Sequence, residues 1–220
     1  MILSYTLVND FENCPRKAYH VRVAKDVKQE PTPEMARGIA VHEAFEKRLK
    51  DDKPLPPDLG QFEPFALTLR NLKVKPEYML GMTENGHGCD FFAKDVWFRG
   101  KADVAVRAAD RTSAWLLDWK TGKVREDPFE LECQAMLLWA NHPELAHIEA
   151  NYYWLREARI GERHNLTPTR VQTTIRIGRL ANEMRECQEK NHWPARPNPL
   201  CGWCPVWQCE HNKSGPRDFG

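Results

Sequence analysis

The chain contains 220 residues, of which 41% are hydrophobic and 29% are charged, and its formal net charge is +1. This length and apolar content suit one good-sized folded domain and exclude an intrinsically disordered chain. No apolar run approaches the roughly 20 residues of a membrane-spanning helix, and the N-terminus shows no secretory signal, so we expect a cytoplasmic protein.

The first predicted element is a helix that begins after Ser4 or Thr6 and is interrupted at Pro15, just after Cys14. Ser4 and Thr6 are both candidate N-caps, and Leu7, Phe11 and Cys14 follow at helical spacing. Pro15 cannot donate a backbone hydrogen bond and interrupts the helix. Read alone, this segment is an amphipathic helix with one buried cysteine.

Several basic residues follow this helix, namely Arg16, Lys17, Arg22 and Lys25. They form either a solvated face or a patch that follows a phosphate backbone. Because the net charge is close to zero, DNA binding would depend on such local clusters. Arg156, after a later strand, is a further candidate of this kind.

A second helix is predicted to begin at Thr32, which serves as N-cap, with Pro33 in the first turn. One side of this helix carries Gly38, Val41, His42, Phe45 and Leu49. A single histidine on a helix is usually a packed or solvent-facing residue, so His42 needs other support to be a ligand.

The next segment changes character from loop to strand. Residues 51–60 are rich in proline and charge and predict an exposed linker, and a short helix follows over 61–72. Residues 75–80 predict a strand that turns at Asn85-Gly86. Glu77 in this strand is either a solvent-exposed residue or part of a site.

Two apolar strands, 98–106 and 114–120, flank a short polar break and predict a hairpin. Alternation places Asp103 on one face of the first strand, and Asp118 and Lys120 on one face of the second. Pairing of these strands brings two carboxylates and an ammonium group together. Such a cluster predicts a hard-cation site with a charged helper.

The pattern Ala-Asp, a spacer and Asp-Trp-Lys resembles the core of the PD-(D/E)xK nuclease superfamily. Asp103 corresponds to the first acid, Asp118-Trp119-Lys120 corresponds to the (D/E)xK element, and Ala102 replaces the usual proline. The longer pattern, G-K-A-D followed by L-L-D-W-K-T-G, is similar to the RecB-like branch of that superfamily.

This resemblance implies an α/β fold with a restriction-endonuclease-like core, in which helices flank a central mixed β-sheet. N-terminal helices and a C-terminal metal-cluster loop are expected to pack together. We expect a single domain over 1–220, with a helical part at 1–74, the catalytic sheet and helix at 75–160, and a C-terminal helix and cysteine cluster at 161–220.

The resemblance also implies a site for Mg²⁺ or Mn²⁺. Asp103 and Asp118 would hold the ion with the backbone carbonyl of Trp119. His42 lies in G-x-x-x-H-x-x-x-E, which resembles the element whose histidine approaches the metal, and Glu77 is a further candidate ligand. The catalytic residues would be Asp103, Asp118, Lys120 and Gln134.

Gln134 belongs to a helix that is predicted to begin at Asp127-Pro128 and to end at Pro143. It lies on the same stripe as Leu131 and Leu138, and a polar residue facing a core indicates a hydrogen-bonding role. In the RecB-like group a glutamine here contacts DNA near the scissile phosphate, with a tyrosine four residues later; Leu138 takes that position. A strand over 148–155 and a helix over 168–189 complete the predicted elements.

The cysteines near the C-terminus, Cys201, Cys204 and Cys209, have the spacing of metal ligands. A fourth ligand must come from elsewhere: Cys14, His211 in a zinc site, or Cys187. Zinc and iron–sulfur clusters both accept four thiolates. The RecB-like resemblance implies a 4Fe–4S cluster on Cys14, Cys201, Cys204 and Cys209. Cys89, Cys133 and Cys187 are then structural cysteines that bind no metal.

The resemblance implies a metal-dependent DNA exonuclease that prefers single-stranded ends, similar to CRISPR-adaptation and phage RecB-like exonucleases. It would act in recombination, repair or CRISPR-type processing, with a helicase, recombinase or CRISPR integrase as partner. The chain itself carries no P-loop motif. The alternatives are a non-catalytic DNA-end-binding module and a zinc-stabilised interaction protein with an accidental D-x-K motif.

Overall fold

The structure is a computed structural model that describes residues 1–28 and 31–213. It divides into two compact units. The first contains Met1–Ile2 and Pro31–Thr173, and the second contains the described residues 3–28 and 174–213. The expected single domain with three parts remains a prediction.

The first unit is built on a seven-stranded sheet in the order β2-β1-β3-β4-β5-β6, with β7 also paired to β5. The strands are β1 (Lys75–Thr83), β2 (Gly88–Cys89), β3 (Val96–Arg107), β4 (Ser113–Lys120), β5 (His147–Trp154), β6 (Arg159–Ile160) and β7 (His164–Asn165). Strands β4 and β5 are parallel, and the other pairs are antiparallel. The sheet is therefore mixed, as the sequence predicts.

The predicted hairpin is formed by β3 and β4, whose register pairs Val104 with Leu117 and Arg107 with Ala114. Their ladder ends at the Val104–Leu117 pair, while β4 continues to pair with β5 as far as Lys120. The end of β4 is therefore paired with β5 on one side. On its other side it is contacted by the side chain of Asp103 from β3.

Helices flank the sheet of this unit: α3 (Pro33–Asp51), a 3-10 turn (Pro57–Phe62), α4 (Glu63–Asn71) and α5 (Phe129–Asn141). Thr32 caps α3 through its hydroxyl, which accepts from the Met35 N–H, and Pro33 occupies the first turn as predicted. Phe45 of α3 stacks on Trp119 of β4 with 4.1 Å between ring centroids. This packing holds α3 against the strand that carries the D-x-K motif.

The second unit contains α1 (Tyr5–Asn13), α2 (Pro15–Ala18), a π-helical turn (Tyr19–Val23), α6 (Arg170–Glu189) from residue 174 onward, and a 3-10 turn (Pro199–Trp203). The Ser4 hydroxyl accepts from the Leu7 N–H at 3.3 Å, as expected for the predicted cap. Trp193 packs edge-on against Phe11, with 5.8 Å between ring centroids. N-terminal and C-terminal segments thus share one small core.

Among the described helices, none combines the length and the apolar character that crossing a lipid bilayer requires.

Candidate metal and catalytic centre

Two buried carboxylates meet where the β3–β4 ladder ends. Asp103 is 9% exposed and Asp118 is 2% exposed. The Trp119 N–H donates to Asp103 Oδ2 at 2.9 Å, so the Asp103 side chain takes the place of the next ladder bond. Burial, and then the charge of Asp118, raise the pKa of Asp103 to about 6.

His42 approaches these groups from α3. Its Nδ1 lies 3.3 Å from Asp103 Oδ2, and its Nε2 lies 3.0 Å from the Trp119 carbonyl oxygen. Burial lowers the pKa of His42, but the hydrogen bond and charge of Asp103 outweigh it and raise the pKa to about 9. A protonated imidazole donates to both oxygens, so His42 is a cation that pairs with the Asp103 carboxylate.

Glu77 of β1 completes a group of possible ligands. Its φ of 47° lies in the left-handed region, which costs a residue other than glycine about 1–2 kcal/mol. The pairing of β1 with β3 includes Pro76 and Tyr78 but omits Glu77. The Glu77 carboxylate also lies 3.3 Å from Lys101 Nζ. Strain of this kind often accompanies functional sites.

One ligand atom from each of His42, Glu77 and Asp103 lies within 4.8 Å of the others. No second group of three such side chains meets this limit within residues 1–28 and 31–213. One imidazole nitrogen and two carboxylates suit Mn²⁺ well and Mg²⁺ through the oxygens. The nearby Trp119 carbonyl offers a further oxygen. The donor set therefore fits the metal that the sequence predicts.

Asp118 faces a second cluster. Its Oδ1 accepts from Gln134 Nε2 at 2.9 Å, and its Oδ2 lies 2.6 Å from Lys120 Nζ. Asp118 is not a member of the His42–Glu77–Asp103 group. Its role as a ligand remains a prediction.

Glu130 is a member of this cluster that sequence reasoning missed. Its Oε2 lies 2.6 Å from Lys120 Nζ, so the ammonium group sits between Glu130 and Asp118. Burial, and then the charge of Asp118, raise the pKa of Glu130 to about 7. The sequence signal was its position four residues before Gln134, which places both on one side of α5.

Lys120 is held as a cation in this arrangement. Burial lowers its pKa, but the charges of Asp118 and Glu130 raise the pKa above its ordinary value. Lys120 can therefore donate hydrogen bonds but cannot act as a base near neutral pH. Gln134 Oε1 is buried and lacks a hydrogen-bond partner within the described part of the chain.

The basic residues predicted to bind DNA have different surroundings. Arg16 pairs with Glu210, while Lys17 and Arg22 both pair with Asp10, at 2.9 and 2.7 Å. Arg156 is exposed in the turn after β5. The structure thus places Arg16 and Lys17 in ion pairs of the second unit, and the DNA-binding role of all three remains a prediction.

Four cysteines line one cavity of the second unit: Cys14, Cys201, Cys204 and Cys209. Two backbone groups donate to their sulfurs, Arg196 N–H to Cys14 at 3.4 Å and Asn198 N–H to Cys201 at 3.3 Å. Burial raises the pKa of Cys204, and the charges of Cys14 and Cys209 raise it further. Cys89, Cys133 and Cys187 lie outside this lining.

The spacing of these thiols bears on the choice of metal. A tetrahedral zinc ion with Zn–S bonds of about 2.3 Å brings its sulfur ligands to roughly 3.8 Å from one another. Among the described residues, no three cysteine or histidine ligand atoms come within 4.8 Å of one another. The lining of the cavity also includes His211, and the choice between a zinc ion and an iron–sulfur cluster remains a prediction.

Comparison with known proteins agrees with the fold and the motif. Residues 59–209, more than half of the chain, match the family model of the PD-(D/E)XK nuclease superfamily, and the chain belongs to this superfamily. The solved structure titled "Crystal structure of SSO0001" superposes with a TM-score of 0.50 at 17% identity, covering 90% of this chain and 81% of that chain. At this identity the likeness shows the fold alone. A search of curated proteins gives no match.

We expect the affinity of the site for Mn²⁺ to rise with pH. His42 must lose a proton to become a ligand, and its pKa is about 9. Between about pH 6 and 9 the association constant should therefore rise about tenfold per pH unit, as expected for release of one proton. Calorimetric titration of the chain without DNA measures this slope, and buffers of different ionisation enthalpy count the proton. The variant His42→Asn should bind weakly with a flat profile. A pH-independent wild-type affinity would contradict the assignment of His42.

We expect Glu130→Gln to remove a pH-dependent loss of stability in chelator. The folded pKa of Glu130 is about 7, above the ordinary 4.5, so the folded state binds its proton more tightly than the unfolded state. Stability from this group therefore falls as pH rises from about 4.5 to 7. As the pH rises over this range, the melting temperature of the variant should increase relative to that of wild type. Above about pH 7 the difference between the two melting temperatures should stay constant. Glu132→Gln, in the same turn of α5, is the control. A difference that shrinks with pH would refute the stated sign.

Proposed function

We propose that this chain is a metal-dependent deoxyribonuclease of the RecB-like branch that hydrolyses phosphodiester bonds. The observation that carries the proposal is the buried cluster in which Asp118 is held between Gln134 and Lys120, beside Asp103. Burying this many charges is costly unless they are paired or bind a ligand. Membership of the nuclease superfamily supplies the reaction class.

The residues that would hold Mg²⁺ or Mn²⁺ are His42, Glu77, Asp103 and Asp118, with the carbonyl of Trp119. A bound divalent ion neutralises charge on the phosphate and polarises it for attack. Ligation would need the neutral imidazole, so His42 would have to give up the proton that it holds beside Asp103. Asp103 stays ionised and keeps its hydrogen bond to the Trp119 N–H.

The other residues of the cluster position the reactants. Lys120 remains an ammonium group and donates hydrogen bonds to the attacking water or to a phosphate oxygen, where negative charge develops. Glu130 fixes the Lys120 side chain from the α5 side. Gln134 orients Asp118 through its amide nitrogen and offers Oε1 to the water. Because Lys120 stays protonated, it does not remove a proton from the water.

A single-strand-preferring exonuclease is the more specific activity that we propose. It rests on the similarity of the motifs to stand-alone RecB-like exonucleases with a cysteine cluster. The same similarity is the basis for proposing a role in recombination, repair or CRISPR-type processing. The partner would be a helicase, a recombinase or a CRISPR integrase. A non-catalytic DNA-end-binding module is less well supported, since it has no need to keep Asp103, Asp118 and Lys120.

We also propose a 4Fe–4S cluster on Cys14, Cys201, Cys204 and Cys209. Support comes from their shared cavity and from the N–H groups that donate to two of the sulfurs. Iron–sulfur clusters are held by four thiolates and tuned by such hydrogen bonds. The cluster would tie the C-terminal loop to the segment after α1, and its function would be mechanical. A zinc ion at the same site is the alternative.

Asp118→Asn and Lys120→Ala are expected to lower the rate of DNA cleavage about 100- to 1,000-fold each, since each removes preorganised charge at the reacting phosphate. The assay uses end-labelled single- and double-stranded DNA with Mn²⁺, Mg²⁺ or chelator. Binding of DNA in chelator should change by less than about threefold.

The control is Lys94→Ala, which removes an exposed lysine of the same unit. Wild-type cleavage rates in Asp118→Asn would refute the catalytic assignment. Absence of any cleavage by the wild-type chain, under each metal condition, would refute the proposed function as a whole.

Cys204→Ser is expected to remove iron and acid-labile sulfide from protein purified without oxygen, because a cluster ligand is lost. The melting temperature should fall as well. Cys89→Ser, outside the cavity, is the matched control and should keep wild-type iron content. Zinc without sulfide in the wild-type protein would favour the zinc alternative.

A further inference from the structure

A second cleft of the first unit has no role in the chemistry described so far. Its cavity measures about 300 Å³, a volume within the range of ligand pockets. It is lined by Leu72, Lys73, Lys75, Tyr78, Ala105, Val106, Arg107, Ala108, Ala109, Arg111 and Leu138. Four of these residues are cationic and none is acidic. We refer to this group as the basic cleft.

Two of the cations are free to meet a ligand. Lys73 and Arg111 are exposed, and neither has an ion-pair partner within the part of the chain that the structure describes. Both have positive φ values, 53° and 61°, so each occupies a left-handed turn at the rim. Lys75 lies over the Tyr78 ring, with Nζ 4.4 Å from the centroid. Only Arg107 is paired, with Glu144 at 3.2 Å.

Tyr78 adds a neutral donor to the basic cleft. Arg107 Nη1 donates to His142 Nδ1 at 3.2 Å, because a guanidinium group has no acceptor. The neutral His142 ring therefore carries its hydrogen on Nε2 and donates to Tyr78 Oη at 2.9 Å. The phenolic hydrogen of Tyr78 is thus left to donate to another acceptor. Burial, and then the charges of Arg107 and Lys75, lower the pKa of His142, which agrees with the neutral form.

The basic cleft is built on the same elements as the catalytic cluster, the name we give to His42, Glu77, Asp103, Asp118, Lys120, Glu130 and Gln134 together. Strand β1 contributes Glu77 to the catalytic cluster and its neighbour Tyr78 to the cleft. Strand β3 contributes Asp103 and then Arg107, about 13 Å further along at roughly 3.3 Å per residue. Helix α5 contributes Gln134 and then Leu138, one turn or about 6 Å away. The cleft therefore begins within a few nucleotides of the reacting phosphate, since a strand carries a phosphate every 3.4 Å or so along a duplex.

We propose that the basic cleft binds phosphate groups of the DNA substrate outside the cleavage site. The proposal rests on the proposed nuclease function and extends it to the path of the strand. Lysine and arginine side chains and a hydroxyl donor are the groups that proteins use to contact phosphates. The bound phosphate is either a terminal monophosphate or an internal phosphodiester, and both offer the same anionic oxygens.

The test is the double variant Lys73→Ala/Arg111→Ala, with Lys53→Ala/Lys94→Ala as control. All four residues are exposed, so neither double variant removes a buried contact. Binding of single-stranded DNA of about 20 nucleotides is measured by fluorescence anisotropy in chelator, between about 50 and 200 mM salt. Wild type and control should show the same affinity and salt dependence. The cleft variant should bind at least about tenfold more weakly, and its slope of log K against log salt should be shallower by about 1.4.

Oligonucleotides with a 5′-phosphate, a 3′-phosphate or hydroxyl ends separate the two sources. If the basic cleft takes a terminal phosphate, wild type prefers one phosphorylated end and the variant loses this preference. If the basic cleft binds internal phosphates, the variant binds all three oligonucleotides more weakly than wild type does, by the same factor. Equal affinities and slopes for cleft variant and control would overturn the proposal, as would a wild-type chain that does not bind single-stranded DNA in chelator. Because cleavage is not measured here, failure of the proposed nuclease activity is a separate result.

Discussion

The hydrogen bond from the Trp119 N–H to Asp103 Oδ2 is the contact on which the centre depends. It joins β3 to β4 at the point where their backbone ladder ends, so a carboxylate replaces a carbonyl as acceptor. Phe45 fixes the other side of Trp119 by stacking on its ring, which also brings α3 and His42 to the same place. One short stretch of β4 thereby connects the hydrophobic core to a buried charge.

Charge balance explains why these groups tolerate burial. A protonated His42 faces Asp103, and the Lys120 ammonium group lies between Asp118 and Glu130. Each carboxylate of the cluster thus has a cation within about 3.5 Å, yet the raised pKa of Asp103 and of Glu130 shows that the compensation is incomplete. A divalent cation would supply the missing positive charge, which is the physical reason that this arrangement fits the metal dependence proposed for it.

The two units divide their basic residues differently. In the second unit Lys17 and Arg22 are neutralised by Asp10, close in sequence to the cysteine cavity. These pairs stabilise the local fold and leave less positive charge for a nucleic acid. In the first unit Lys73 and Arg111 stay unpaired among the described residues, in the turns before β1 and between β3 and β4. A phosphate backbone is expected to bind where basic side chains are not already paired with carboxylates.

Local patterns were enough to predict much of the fold and part of the centre. Each cap, at Ser4 and at Thr32, is a side-chain hydroxyl that accepts from a backbone N–H three residues later. In the hairpin, the alternation of side chains between the two faces of the sheet relates residues that are two positions apart. The superfamily followed from Asp103 and the D-x-K element, because their spacing along two paired strands already places them together.

Tertiary structure alone decided which charges meet. Glu130 reaches Lys120, and Lys17 pairs with Asp10 instead of facing solvent, through packing between elements that sequence periodicity does not relate. The left-handed backbone of Glu77 and the basic cleft also arise only when β1, β3 and α5 come together. Periodicity and capping act over a few residues, whereas the partner of a long charged side chain depends on register and helix packing across the whole unit.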